Sequence, residues 1–305
     1  MISSEADYFA VSSAEEFFEI NSVTDKPIII LDPVFDKDKL KALIEAGAEL
    51  TVCNLESFKI LNLVASETLK AKIHIAVNTG MNRFGFKSKS EFLEVVSIIK
   101  KSHNFEIKGV FSHFFDAKNI NFAENQYKLF KEYEKIFYQN FDKKVIFHLS
   151  NSDGLFYKNG FDMARVGMKI YSDNLYPTIS LKAKILDIQT LNKGETAGYS
   201  AVFVAERDTR LAVTNIGYGD GIPRNIYKNG YVLIHGKYAR IVAVCMDSIL
   251  IDLKDIDAKV GDEVVLIGKS HENQIFICDV AAWCDTIDYE IITRLASRVE
   301  RKLVD

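Results

Sequence analysis

An excess of charge of one sign is missing from this chain of 305 residues: 38 Lys and Arg stand against 42 Asp and Glu, for a net charge of −4. That balance leaves no basic footprint for nucleic acid or for an anionic membrane surface. Cysteine is also scarce. Cys53, Cys245, Cys278 and Cys284 are scattered, with no C-x-x-C pair and no His/Cys metal spacing. A disulfide framework and a structural metal are therefore not expected, and a reduced, cytoplasmic protein is. There are only four prolines and no low-complexity linker. No apolar run approaches a membrane span, and the N-terminus lacks a basic-then-apolar signal pattern. What is present is an ordinary globular balance, 48% apolar and 26% charged. A chain of this length can bury a substantial core as one large domain or two ordinary ones.

The first half alternates short apolar runs with helical patterns. YFAV (8–11) precedes SSAEEFFEI, where Ser12 or Ser13 is a natural N-cap followed by Glu15 and Glu16 in the first turn. PIIIL (27–31), LTVC (50–53), IHIAV (73–77), IKGVFSHF (107–114) and KVIFHLSNS (144–152) follow, each ahead of a helical or polar segment, and FDMARVGMKIYS (161–172) closes the series. The runs do not alternate with polar residues, as expected of strands buried on both faces. Repeated strand–helix order implies parallel strands with right-handed crossovers. This reading yields seven strands, one fewer than a closed (β/α) barrel requires. From about Leu181 the chain becomes β-rich and turn-punctuated, and helical patterns are scarce until Asp279. A separate all-β domain is expected there, with the boundary near SDNLYPT (172–178), punctuated by Pro177.

In a barrel the C-terminal strand ends form the active face. The strand at 73–77 leads to Arg83, the strand at 107–112 to His113, the strand at 144–149 to Asn151 and Ser152, and the last to Arg165 and Gly167. Serine, glycine and backbone N–H groups at adjacent late strands are what a phosphate site needs. Taken singly, each is equally readable as structure: Arg83 as a surface arginine, His113 as a satisfied core histidine, SNSDG as a plain turn. In the β domain, GYS puts Tyr199 at the start of a strand, and NIGYGDGIPR (215–224) is a tight turn. VCMDSILIDL places Met246 and Asp247 inside an otherwise apolar strand, where a buried carboxylate would need partners.

These segments resemble one family. VNTGMNRFGF, GVFSHF, HLSNSDG, ARVGMKIY, GYSAVF, RLAVTNIGYGDGIPR, VCMDSILIDL and TIDYEII run in the order found in alanine racemases, fold-type III pyridoxal-phosphate (PLP) enzymes. The resemblance implies an α/β (β/α)8-type TIM barrel lacking its first βα unit, over 1–176, followed by an all-β domain over 177–305. It implies interconversion of L- and D-alanine, supplying D-alanine for peptidoglycan. By resemblance, Ser152, the backbone at Gly167 and Met168, and Tyr289 hold the cofactor phosphate. Arg165 faces the pyridine nitrogen, with His113 and Asn151 beside it. Arg83 and Met246 take the substrate carboxylate, Tyr199 is an acid/base group reaching a partner's barrel in a head-to-tail homodimer, and Tyr218 and Asp247 shape the entrance.

Three departures from the family pattern stand out. The Schiff-base lysine of a KANAYGHG-like motif, which is also the second base, has no counterpart, because Met1 falls where the family is already past its first strand and helix. Ala76 stands where many members carry a supporting lysine. Asn78 replaces the usual aspartate. Another fold-III racemase or PLP decarboxylase, and a catalytically silent PLP-binding remnant, are the alternatives that this pattern leaves.

Overall fold

The computed structural model describes residues 5–155, 157, 161–171 and 178–303. The chain divides into two compact units, Met1–Gly167 and Met168–Asp305. In the first, strands β1 (Phe9–Val11), β2 (Ile28–Ile30), β3 (Glu49–Val52), β4 (Ala71–Ala76), β5 (Phe105–Phe111) and β6 (Ile146–His148) form one six-stranded sheet in chain order. All its pairings are parallel. Helices α1 (Ala14–Asn21), α2 (Lys37–Glu45), α3 (Leu55–Val64), α4 (Lys89–Lys101) and α5 (Ile120–Asn140) connect them. Their starts are written locally. Ser13 caps α1 in a reciprocal box with Glu16, and Asp36, Asn54, Ser88 and Asn119 cap the others with side-chain oxygens.

The strand period sorts side chains between two faces. Ile28, Ile30, Leu50, Val52, Ile73, Ile75, Val77, Phe147 and Leu149 belong to the main core with the apolar stripes of the helices, Phe58, Phe92, Phe130 and Phe137 among them. Ile29, Cys53, Ala76 and Phe111 form a separate cluster. By the same alternation, Glu49, Thr51, His74 and His148 share that second face.

The expected seventh strand does not form. Residues 161–171 are irregular except for a 3₁₀ turn at Met168–Ile170. Asp162, Arg165 and Gly167 are spent on contacts with the β6 end and the residues after it, such as Arg165 N–H to Ser150 O at 2.9 Å, rather than on a ladder. Of the expected boundary segment, 172–178, residues 172–177 lie outside the described residues.

The second unit is built on a seven-stranded antiparallel sheet. Its strands are β7 (Leu181–Leu191), β10 (Thr209–Thr214), β11 (Tyr231–Ile234), β12 (Lys237–Val244), β13 (Ile249–Asp252), β14 (Glu263–Ser270) and β15 (Asn273–Ile275), with a small pair β8 (Thr196–Ala197) and β9 (Phe203–Val204) to one side. An extra β11–β14 pairing curls the sheet. Helices α6 (Ile277–Trp283) and α7 (Asp288–Thr293) close its core. Two expectations are corrected here. Met246 and Asp247 occupy the turn between β12 and β13, not a strand interior, and both are exposed. Tyr199 opens a 3₁₀ turn after β8, where Gly198, Ser200 and Ala201 all have positive φ, and so does not begin a strand. Short polar interruptions at hairpin tips read as strand when only apolar neighbours are weighed.

Candidate active site

The β4 exit explains how Arg83 is presented. Asn78 Oδ1 accepts the N–H groups of Gly80 (2.9 Å) and Asn82 (3.2 Å), an Asx-type turn. The chain then returns to its starting strand: Asn78 N–H donates to Phe86 O and Phe86 N–H to Ala76 O. Gly85 permits the return, since its φ is +110° and a Cβ would lie 2.7 Å from the Val77 carbonyl carbon. Arg83 sits on this loop with its guanidinium 4.8 Å from the centre of the Phe84 ring. Asn78, where the family has aspartate, holds the loop by these amide contacts and not by pairing with Arg83.

The β5 and β6 ends meet at Arg165. Its Nη2 donates to Ser112 O (2.6 Å) and lies 3.2 Å from His113 Nδ1. Its Nη1 lies 2.6 Å from His148 Nδ1 and donates to His148 O (3.2 Å). Burial, and then the charge of Arg83, pull Arg165 down to about 10; it stays cationic at neutral pH. Burial first, then Arg165 and Arg83, hold His113 at about 4, so it is a neutral imidazole. Asn151 Nδ2 also approaches His113, 3.2 Å from Nε2, and donates to Phe114 O. A neutral imidazole accepts on one nitrogen only, so Arg165 and Asn151 compete for His113. Ser152 is buried, and its Oγ accepts the Gly167 N–H at 3.1 Å. A Cβ on Gly167 would meet nothing within 4 Å, so open space lies against this backbone.

Reading the apolar runs without regard to face missed three residues here. His74 and His148 are fully buried and Glu49 nearly so. His74 Nδ1 is 3.0 Å from His148 Nε2, and His74 Nε2 is 2.7 Å from Glu49 Oε2. The available signal was period two: in KIHIA, His74 alternates with Ile73 and Ile75, which marks the opposite face. A second polar cluster ties the loops together. Thr79 Oγ1 and Ser112 Oγ are 2.8 Å apart, and Gln126 Nε2 donates to Thr79 Oγ1 and to His113 O.

In the second unit, Tyr218 and Met246 are brought together through their backbones. Tyr218 N–H donates to Cys245 O (3.0 Å) and Gly219 N–H to Met246 O (2.8 Å). Arg298 bridges Asp220 and Asp247, each at 2.7 Å. Asp247 thus has a partner, though at the surface. Tyr199 is 63% exposed, Met246 52% and Tyr289, on α7, 48%. Among the described residues, no group of three His, Cys, Asp or Glu is placed to hold a metal ion.

Chains similar to this one occur among known proteins. The alanine racemase N-terminal domain profile matches residues 1–175 and the C-terminal domain profile matches residues 178–303. The alanine racemase of Thermodesulfovibrio yellowstonii is 33% identical over 306 aligned positions, which cover 98% of this chain and 82% of that protein. The crystal structure of alanine racemase from E. faecalis matches with a TM-score of 0.88 at 28% identity, covering 96% of this chain and 83% of that one. The structure of the Bacillus anthracis enzyme with bound L-Ala-P matches at 0.89 and 27% identity, covering 96% of this chain and 80% of that one. A parallel sheet with a charged, partly open site at its strand ends, a β-rich second unit and these matches along almost the whole chain have one common source: the chain belongs to the alanine racemase family.

Proposed function

We propose that this protein is an alanine racemase that uses PLP to interconvert L- and D-alanine for peptidoglycan. We further propose that it works in the cytoplasm as a head-to-tail homodimer, with a barrel over 1–176 and a β domain over 177–305. The observation that carries the reading is Arg165, cationic and anchored at the strand ends beside the open backbone of Gly167 and the Ser152 hydroxyl. A phosphate fits that open backbone, which a side chain at residue 167 would fill. Ser152, the amides of Gly167 and Met168, and Tyr289 would hold it, with Arg165 at the ring nitrogen and His113 and Asn151 alongside. Bound there, PLP would supply an electron-withdrawing ring that acidifies the α-proton of an attached amino acid.

The chain's own groups do the rest. Arg165 donates hydrogen bonds and cannot accept a proton, so it would hold a ring nitrogen facing it unprotonated, and the ring would be a weak electron sink. Arg83, and Met246 from the partner subunit, would orient the substrate carboxylate. Tyr199 would move the proton at its phenolic oxygen from a partner subunit, with Tyr218 and Asp247 at the entrance. The exposure of Tyr199 and Met246 supports a surface meant to meet another chain. No helix among the described residues is long and apolar enough to cross a membrane, and nothing in the charge balance suits nucleic acid.

The second proton-transfer group of the family is the motif lysine, for which these 305 residues offer no match. The test is to fuse a relative's strand–helix unit carrying that lysine ahead of residue 1. The fusion should racemise alanine, and the 305-residue polypeptide should not. A folded, PLP-loaded fusion with no alanine racemisation would sink the proposal.

A further inference from the structure

Three buried side chains behind Arg165 have no role in the chemistry above. Glu49, His74 and His148 lie on one face of β3, β4 and β6 and link in series to the guanidinium. The protein has made room for them. A Cβ on Gly109 of β5 would lie 2.4 Å from His74 Nδ1 and 2.6 Å from Ile146 O. The Phe111 ring stacks on His148 at 5.0 Å and 15°, and carries the Arg165 guanidinium 5.5 Å from its centre.

The chemistry allows only one arrangement of hydrogens. Arg165 Nη1 is a donor and never an acceptor, so His148 Nδ1 must present a lone pair. A neutral His148 then carries its proton on Nε2 and donates it to His74 Nδ1. His74 in turn carries its proton on Nε2 and donates to Glu49 Oε2. Protonating His148 would set a donor against Arg165. Protonating His74 would leave His148 to accept on both nitrogens, which would make it an anion. Neither can happen while the Arg165 contact persists.

We infer that Glu49, His74 and His148 are positioning residues for Arg165: a one-way chain of donors that ends on a carboxylate and locks the guanidinium in place. That Arg165 faces a cofactor ring rests on the function proposed above; the lock itself does not. Burial, and then Arg165, hold His148 well below the ordinary histidine range, and burial also lowers His74. Around His74 the charges are Glu49, Arg165 and Lys108. Around His148 they are Arg165 and His74. Breaking the chain at Glu49 should act at a distance. Glutamine there is nearly isosteric but can donate as well as accept, so the chain could reverse and set His148 Nδ1–H against Arg165.

The experiment is ¹⁵N NMR of the imidazoles in the cofactor-free protein, for wild type, Glu49→Gln and Arg165→Ala, with PLP binding followed by absorbance. In the wild type, both His74 and His148 should be neutral Nε2–H tautomers at neutral pH, a result that needs no variant to fold. Glu49→Gln and Arg165→Ala should mix the tautomers, and Glu49→Gln should weaken PLP binding by roughly tenfold, the scale on which outer partners of a ligand-holding group act. An Nδ1–H tautomer or a charged ring in the folded wild type overturns the lock, as do unmixed tautomers in both variants. If the tautomers mix but PLP affinity does not move in either variant, the lock stands, and the assignment of Arg165 to the ring falls.

Discussion

Glycine separates two kinds of requirement at single residues. At Gly109 the space is taken by the His74 ring and a β6 carbonyl. Gly109→Ala should cost about 1–3 kcal/mol, as other overpacked sites do, read as a lower urea midpoint. Gly167 is the opposite case, because a Cβ there would meet nothing within 4 Å. Gly167→Ala should leave stability within about 0.5 kcal/mol of the parent yet weaken PLP binding. Equal losses of stability in the two variants would contradict this division. Arg83 and Arg165 were both legible as residues in the sequence, but their difference was not. Arg83 stands on an exposed loop against Phe84, whereas Arg165 is bound by two strand ends, those of β5 and β6. That difference is set by hydrogen bonds to residues 17 to 53 positions away.

Elements carry the loops that the proposed site needs. The start of α1 followed from its capping residues, Ser12 or Ser13 ahead of Glu15 and Glu16; α2 to α5 were readable as helical patterns between the apolar runs, not by their caps. The hairpin between β12 and β13 was not, because its turn interrupts an apolar run at Met246 and Asp247. Arg298, far along the chain, joins that turn to the Tyr218 turn through Asp247 and Asp220. Both ion pairs are partly exposed, so Arg298→Ala should leave global stability nearly unchanged, read as an unmoved urea midpoint. The local effect should be larger. The amides of Gly217 and Gly219, which donate to Asp220 Oδ2 and Met246 O, should exchange faster, while those within β12 and β13 should not. Unchanged exchange at both glycines would show that the backbone bonds alone hold these turns.

For the whole molecule, acid is the informative variable. His113 is held at about 4 by burial and by Arg165 and Arg83, and His148 and His74 are also lowered, mainly by burial. In the unfolded chain histidines titrate near 6.5. Below that value the unfolded state therefore binds more protons than the folded one, and stability falls as pH drops from about 6.5 towards 4. Each such histidine contributes a slope of up to about 1.4 kcal/mol per pH unit. Urea midpoints across that interval should fall, and His148→Asn should flatten the decline; a level profile would contradict the depressed values. Assembly gives a second test of the proposed dimer. In the fusion carrying the family lysine, mixing Arg83→Ala with Tyr199→Phe chains should restore part of the lost activity, because one site of the mixed dimer receives both native residues. No restoration, in a mixture that demonstrably exchanges subunits, would mean that each site is built within one chain.

The sequence by itself determined the alternation of parallel strands and helices, the change to a β-rich second unit, and the identity of the residues at the strand ends. Those features depend on local periodicity and on neighbours a few positions apart. It also carried the family resemblance in short motifs whose order survives without any coordinates. Only the tertiary structure decided that residues 161–171 forgo a strand to deliver Arg165, and that Glu49, His74 and His148 join behind it. Those contacts link residues 17 to 74 positions apart, and a buried polar side chain finds its partner through the register of neighbouring strands, which no local pattern specifies.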